Sequence, residues 1–289
     1  MTTEHVIPSA AGAHVPVPDR PRLHAENVTI GYDGHPVNAG LSVAVPDGSF
    51  TVVVGPNACG KSTLLRGLAR LLRPTHGRIV LDGRDIHAHK AKHVARRLGL
   101  LPQSSIAPDG IRVADLVARG RYPYQRLIRQ WTDADERTVA EAMAATGVTD
   151  LSARLVDELS GGQRQRVWVA MALAQRTDIL LLDEPTTFLD LTHQIELLEL
   201  FTDLHLSGRT LVAVLHDLNQ AARYATHLIA MKDGAVVAEG PPSEVVTAEL
   251  VEDVFGLRCL VVPDPVAGTP QVVPLGRDRT THRETRDDV

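Results

Sequence analysis

Val52-Val53-Val54-Gly55-Pro56-Asn57-Ala58-Cys59-Gly60-Lys61-Ser62-Thr63-Leu64-Leu65 is the stretch on which the reading of this chain turns. A β-branched run feeds a glycine-bounded loop, and helix-forming residues follow at once. This is the strand–loop–helix setting that the pattern Gly-x4-Gly-Lys-Ser requires. Gly55 and Gly60 let the backbone curl, so that successive N–H groups converge into a nest for anions. The N-terminus of the following helix adds partial positive charge at the same point. Lys61 brings a mobile full charge for the β- and γ-phosphates, and the Ser62 hydroxyl is placed to ligate Mg²⁺. A glycine turn with a chance lysine is the competing reading, and the strand and helix on either side stand against it. A nucleoside triphosphate is the expected ligand.

Cys59 stands at the helix start, where the dipole favours a thiolate; a reactive thiol shielded by bound nucleotide is expected, against an inert spacer. Across 289 residues there is length for a substantial core, as one domain with a subdomain or as two small ones. Aromatics make up only 3 %, so that core must be built from Leu, Val, Ile and Ala. The net charge of −5 offers no general basic surface, and nucleic acid is not an expected partner. Two cysteines, Cys59 and Cys259, make no disulfide framework and suit a reducing compartment. Residues 1–21 are Pro- and Ala-rich and lack the apolar centre of a secretory signal; a disordered extension is expected. No apolar run approaches the roughly 18 residues of a membrane span.

From Leu23 to Phe50 the pattern is one of short strands, broken at Asp33-Gly34 and at Pro46-Asp47-Gly48. Tyr32 lies in the first break, and its position fits a packed aromatic and a platform for an adenine ring equally well. A helix is expected from Ser62 to Leu72, ended by Pro74 and Gly77. His87, His89 and His93 bring no carboxylate or cysteine to complete a metal site and are read as part of a solvated basic helix. Leu98 to Pro102 reads as a buried strand with Gln103 at its carboxyl end.

Residues 111–158 change to helical spacing, with a second helix from about Asp133 to Thr146, N-capped by Asp133 with Glu136 completing a capping box. Between these helices, Arg119-Gly120-Arg121-Tyr122-Pro123-Tyr124-Gln125-Arg126 interleaves bases and aromatics. Such a segment could grip a single strand of nucleic acid, but it is short and unrepeated, and a protein-docking surface is the better reading. That surface would extend over Ser104 to Gln125, with Ile106, Ile111, Tyr122 and Tyr124 as apolar anchors beside Arg119, Arg121 and Arg126. Leu159-Ser160-Gly161-Gly162-Gln163, ahead of a helix from Arg164 to Gln175, forms a second anion-binding N-terminus.

Ile179 to Leu182 is a buried strand that ends in Asp183-Glu184. Beside a phosphate loop, Asp183 can hold Mg²⁺ through water, and Glu184 can polarise an attacking water. A helix from Asp190 to Leu206 and a strand from Leu211 to Leu215 follow, with His216 at that strand's carboxyl end. Open α/β sheets place ligands on this edge, so a phosphate contact is expected of His216. Leu228 to Val237 reads as a hairpin about Asp233-Gly234. After Pro265 the chain reads as irregular, and residues 263–289 are expected as a largely disordered tail.

Taken together and in order, the phosphate loop, Gln103, Leu159-Ser160-Gly161-Gly162-Gln163, Asp183-Glu184, Leu189-Asp190 and His216 resemble the nucleotide-binding subunit of an ABC transporter, over about residues 21–262. Within that family the chain is most similar to the ATPases of ferric-siderophore and related metal-chelate importers. The residues that carry this are Arg119 to Tyr124, Thr187 to Gln194 and His216 to Ala221. Cobalamin and haem importers share much of the pattern. The resemblance implies an α/β P-loop NTPase core over residues 22–262, with a mixed sheet flanked by helices. It also implies an antiparallel β region at the N-terminal side and a helical subdomain inserted at about 104–170.

The roles it implies are these. Tyr32 stacks on adenine, Gln103 senses Mg²⁺ and the attacking water, Glu184 is the general base, and His216 contacts the γ-phosphate. Ser160, Gly161, Gly162 and Gln163 serve the nucleotide of an opposite subunit, so two copies pack head to tail around two ATP molecules. The methyl of Ala58, where many relatives have glycine, demands a backbone angle that alanine tolerates. The implied partners are integral-membrane permease subunits and, indirectly, an extracytoplasmic substrate-binding protein; the implied location is the cytoplasmic face of the membrane. A soluble ABC protein of DNA repair or the ribosome would need a coiled-coil insertion or a second phosphate loop. A P-loop kinase would have no use for Leu159 to Gln163.

Overall fold

A computed structural model describes residues 21–103, 107–125 and 131–276. The expected extension at residues 1–20, the tail beyond 276, and Ser104, Ile106 and Arg126 lie outside these.

The chain opens with β1 (Leu23–Tyr32), β2 (His35–Val45) and β3 (Phe50–Val54), followed by the phosphate loop and α1 (Lys61–Leu68). Then come β4 (His76–Leu81), β5 (Arg84–Asp85), α2 (Ala91–Val94) and β6 (Leu98–Leu101). Among the described residues, three α-helices follow without an intervening strand: α3 (Val113–Ala118), α4 (Asp133–Ala145) and α5 (Gly161–Ala174). The chain returns through β7 (Ile179–Asp183), α6 (Leu191–Leu206), β8 (Thr210–Val214), α7 (Leu218–Tyr224), β9 (His227–Lys232) and β10 (Ala235–Gly240). It closes with α8 (Pro242–Val245), α9 (Ala248–Phe255), β11 (Cys259–Pro263) and β12 (Pro270–Pro274).

The central sheet has the order β10-β9-β3-β8-β7-β6, parallel except for the antiparallel pair of β9 and β10. A second, antiparallel sheet has the order β2-β1-β4-β5. This is the P-loop NTPase core with a helical insertion that the sequence implied.

Side-chain parity in the central strands divides the core in two, because successive residues of a strand face opposite sides. Phe50, Val52 and Val54 of β3, Leu180 and Leu182 of β7, and Leu211 and Ala213 of β8 meet the inserted helices and α6. Val53, Leu181, Val212 and Val214 face the other way, onto Leu64, Leu65 and Leu68 of α1 and the antiparallel sheet. Such two-sided burial explains why these strands read as continuous apolar runs.

Four element boundaries differ from expectation, each for a local reason. Helix α1 stops at Leu68 rather than Leu72, because Arg70 turns left-handed (φ 65°) and the N–H groups of Arg70 and Leu71 close back on the carbonyls of Gly67 and Arg66. Helix α4 is capped by Thr132, not Asp133, with Asp135 rather than Glu136 completing the box. Helix α5 starts at Gly161 rather than Arg164, because Ser160 and Gln163 form a reciprocal capping box that draws both glycines into the helix. Residues 263–276, expected as part of a tail, instead contain β12 and the turn that returns to it. The Asp264 carboxylate accepts from the N–H groups of Val266 and Ala267 at 2.7 and 3.0 Å and shapes that turn.

Candidate active site

The register of the parallel strands assembles the site. Val53 of β3 lies beside Val214 of β8, Asp183 of β7 beside the same Val214, and Leu101 of β6 beside Leu182. The phosphate loop, Gln103, Asp183-Glu184 and His216 all follow these strands, so they emerge along one edge of the sheet.

The loop is shaped by its glycines and by a prop from the neighbouring sheet. A Cβ at Gly55 would lie 2.2 Å from the Met231 carbonyl oxygen, and one at Gly60 would lie 2.4 Å from Asn38 Nδ2. Asn38 of β2 is fully buried and its Nδ2 donates to the Gly234 carbonyl at 3.1 Å, while the Gly234 N–H donates to the Cys59 carbonyl at 3.1 Å, so the β9–β10 turn joins β2 to the loop. Sequence reasoning passed Asn38 over, because nothing local marks a strand asparagine as a brace. Ala58 is left-handed (φ 62°), the angle its methyl was expected to bear. Lys61 is folded into the loop, and its Nζ donates to the carbonyls of Gly55 and Pro56 at 2.8 and 2.7 Å.

Cys59 corrects an expectation. It is buried, 5 % exposed, within the core beneath α1, and its Sγ lies 4.0 Å from Lys61 Nζ. A thiol so enclosed is a packing group, and the inert reading is the one its surroundings support.

Ser62 Oγ donates to Asp183 Oδ1 at 2.8 Å. Asp183 is 1 % exposed, and burial pushes its pKa above the ordinary carboxyl value; the Ser62 hydrogen bond, Arg66 and Lys61 pull it down, while Glu184 raises it. Next to it Glu184, itself left-handed at φ 53°, is gripped from both sides. Gln103 Nε2 donates to one carboxylate oxygen at 2.7 Å, and His216 Nε2 stands 2.8 Å from the other. Glu184 is partly buried, whereas Gln103 and His216 are exposed, so the cluster opens to solvent.

Tyr32 keeps its ring exposed, and its hydroxyl accepts from Arg66 Nη1 at 2.9 Å. Arg66 thus holds the tyrosine and also lowers the pKa of Asp183, a link that spacing alone could not reveal. Ser160, Gly161 and Gly162 lie at the start of α5, with Phe188 against Gly161 and Leu189 against Gly162.

The basic and aromatic segment is more structural than its composition suggested. Arg121 is buried, pairs with Asp135 at 2.8 Å and donates to the Ala174 carbonyl at 2.9 Å. Its guanidinium carbon lies 4.0 Å from the centre of the Tyr124 ring. Ile111 packs against the core. Among the described residues of the set, Tyr122, 55 % exposed, is the one that faces solvent.

The pattern of the ABC transporter family matches residues 39–187. The chain belongs to the ABC transporter family. It is 59 % identical over 257 residues to the ferric enterobactin transport ATP-binding protein FepC of Escherichia coli (strain K12), covering 89 % of this chain and 95 % of that protein. It is 43 % identical over 249 residues to the iron(3+)-hydroxamate import ATP-binding protein FhuC of Bacillus subtilis (strain 168), covering 86 % and 93 %. Among solved structures it is similar to a dimeric ATP-binding cassette in a post-hydrolysis state with ADP and Pi, at 27 % identity and a TM-score of 0.67, covering 76 % of this chain and 98 % of that one. As a member of this family, the chain is an ATPase that binds ATP. Among the described residues, no helix is long and apolar enough to cross a membrane.

Proposed function

We propose that this ABC ATPase is the ATP-binding and ATP-hydrolysing subunit of a membrane importer of ferric siderophores. The double grip of Gln103 and His216 on Glu184 carries the chemical part of the reading. A carboxylate held this way beside the phosphate loop can orient a water and accept its proton as the γ-phosphate departs. The relative at 59 % identity is named for ferric enterobactin and one named for cobalamin import stands at 44 %, which supports a ferric siderophore over cobalamin.

In this reading ATP enters with its adenine on Tyr32, whose hydroxyl Arg66 already holds. Its phosphates draw Lys61 out of the loop, and the N–H groups of residues 57–63 receive them. Ser62, Asp183 and Gln103 are the residues that would hold Mg²⁺. The donor set fits: a hydroxyl, an amide and a carboxylate that Ser62 already touches and whose pKa burial raises. When bound, the ion neutralises charge on the β- and γ-phosphates. His216 contacts the γ-phosphate and keeps Glu184 in place.

The surface at Ser160 to Gln163 serves the nucleotide of a second copy, and its exposure at the head of α5 leaves it open to do so. The pair of ATPases works beneath permease subunits, on the cytoplasmic face of the membrane, and indirectly with an extracytoplasmic substrate-binding protein.

Glu184→Gln tests the reading. The variant should bind ATP, accumulate as an ATP-bound dimer on gel filtration, and lose about 10² to 10⁴ in turnover. Cells that carry it should take up cobalamin normally but no ferric siderophore. Turnover near the parental rate would remove Glu184 from its role, and loss of cobalamin uptake with siderophore uptake intact would remove the substrate.

A further inference from the structure

His216 sits in the short link between β8 and α7, and its position depends on where that helix lies. Helix α7 spans seven residues, too few to hold itself. Asp217 caps it, accepting from the N–H groups of Asn219 and Gln220 at 2.8 and 3.0 Å. From one side, Gln220 Nε2 donates to Gln194 Oε1 of α6 at 3.0 Å. From the other side comes the C-terminal hairpin of β11 and β12. Asn219 Oδ1 accepts from the Val272 N–H at 2.7 Å, and Asn219 Nδ2 donates to the Val272 carbonyl at 3.2 Å. One side-chain amide thereby satisfies both main-chain groups of a strand residue, as a neighbouring strand would. Arg223 Nη1 approaches Asp264 Oδ2 at 3.6 Å and adds a second tie.

The hairpin is built to present Val272 in this way. Val261 pairs with Val272, Cys259 with Pro274 and Pro263 with Pro270. The ladder bonds fall at the alternate positions, as Leu275 N to Arg258 O and Asp264 N to Thr269 O mark on either flank. Residues 270, 272 and 274 therefore turn their N–H positions away from β11. Prolines fill two of the three, and the N–H that remains, on Val272, is the one that Asn219 takes. A two-stranded hairpin is marginal in isolation, so its docking on α7 orders both partners.

We propose that the hairpin braces His216, and that Asn219 is the positioning residue through which it acts. The inference rests on the reading of His216 as a γ-phosphate contact. Loosening the clamp lets α7 drift, which moves His216 off Glu184 while the phosphate loop and Tyr32 stay as they are.

Asn219→Ala removes the clamp from the helix side. Val272→Pro removes its shorter bond from the hairpin side, at a position whose N–H the ladder does not use, and proline is tolerated on such an edge. Each variant should lower kcat about ten-fold, part of the roughly 10² that a 1 Å misplacement costs, with the KM for ATP unchanged. The double variant should be no slower than Asn219→Ala alone, because that variant already removes both bonds. Val262→Thr, on the hairpin's exposed face, should turn over at the parental rate. Two outcomes overturn the brace: parental kcat in both single variants when His216→Ala is inactive, or additive losses in the double. If His216→Ala itself keeps parental turnover, the reading of His216 fails instead.

Discussion

Asp183 carries a cost in the folded protein. Burial raises its pKa above the usual 3.8, so the folded protein holds this proton more tightly than the unfolded chain does. For a raised pKa, the contribution to stability is complete below the unfolded value and is lost as pH rises through the folded one. At neutral pH the nucleotide-free protein therefore bears a buried carboxylate that weakens it. Asp183→Asn keeps an oxygen for Ser62 and should melt at a higher temperature than the parent at neutral pH without metal. That advantage should shrink as pH falls through the carboxyl range. Thermal unfolding of the two proteins side by side cancels Asp82 and Asp135, whose pKa values are shifted downward. A parent that is the more stable of the two at neutral pH would show that Asp183 is already compensated.

Among the elements, the segment from Arg119 to Tyr124 separates composition from role. Its alternation of bases and aromatics pointed to a docking face, yet Arg121 and Tyr124 are occupied with the ion pair to Asp135 and the stacking above it. That pair joins residues on different elements, and local sequence carries no sign of it. Tyr122 alone keeps the exposure that docking demands. Tyr122→Ala should reduce copurification with the permease and leave ATPase activity and melting temperature at parental values, whereas Tyr124→Ala should lower the melting temperature. If Tyr122→Ala copurifies fully, the permease docks elsewhere. The parallel strands were legible for the opposite reason: burial on both faces writes an unbroken apolar run. The hairpin of β11 and β12 was not, because its prolines interrupt the alternation that marks a strand, and only the ladder shows that they sit where no N–H is needed.

At the scale of the whole molecule, the sequence named Gln103, Asp183, Glu184 and His216, which the fold brings to one edge, but not how two copies would present that edge. The order of the motifs gave the core and its carboxyl edge, since register follows from parallel pairing. Asn38 and Arg66 stayed hidden because their partners, Gly234 and Tyr32, lie far away in the chain. Phe188 has a left-handed backbone (φ 67°) and is 75 % exposed beside Gly161, which places a large apolar ring at the surface assigned to the second copy. Phe188→Asp in the Glu184→Gln background should retain ATP binding and run as a monomer on gel filtration. Persistence of the ATP-bound dimer would move the contact away from this loop.

The prolines of β12 also bear on how the protein behaves in a crowded solution. Leu260, Val262 and Val273 leave an apolar face on the hairpin open to water, and a strand beside such a face invites intermolecular β-sheet growth. Growth along β12 needs donors for an incoming strand. Pro270 and Pro274 have none to give, and the Val272 N–H is already taken by Asn219. The contact that anchors α7 therefore also closes this edge to aggregation, and the chain keeps an exposed apolar surface without a template for fibre growth along β12.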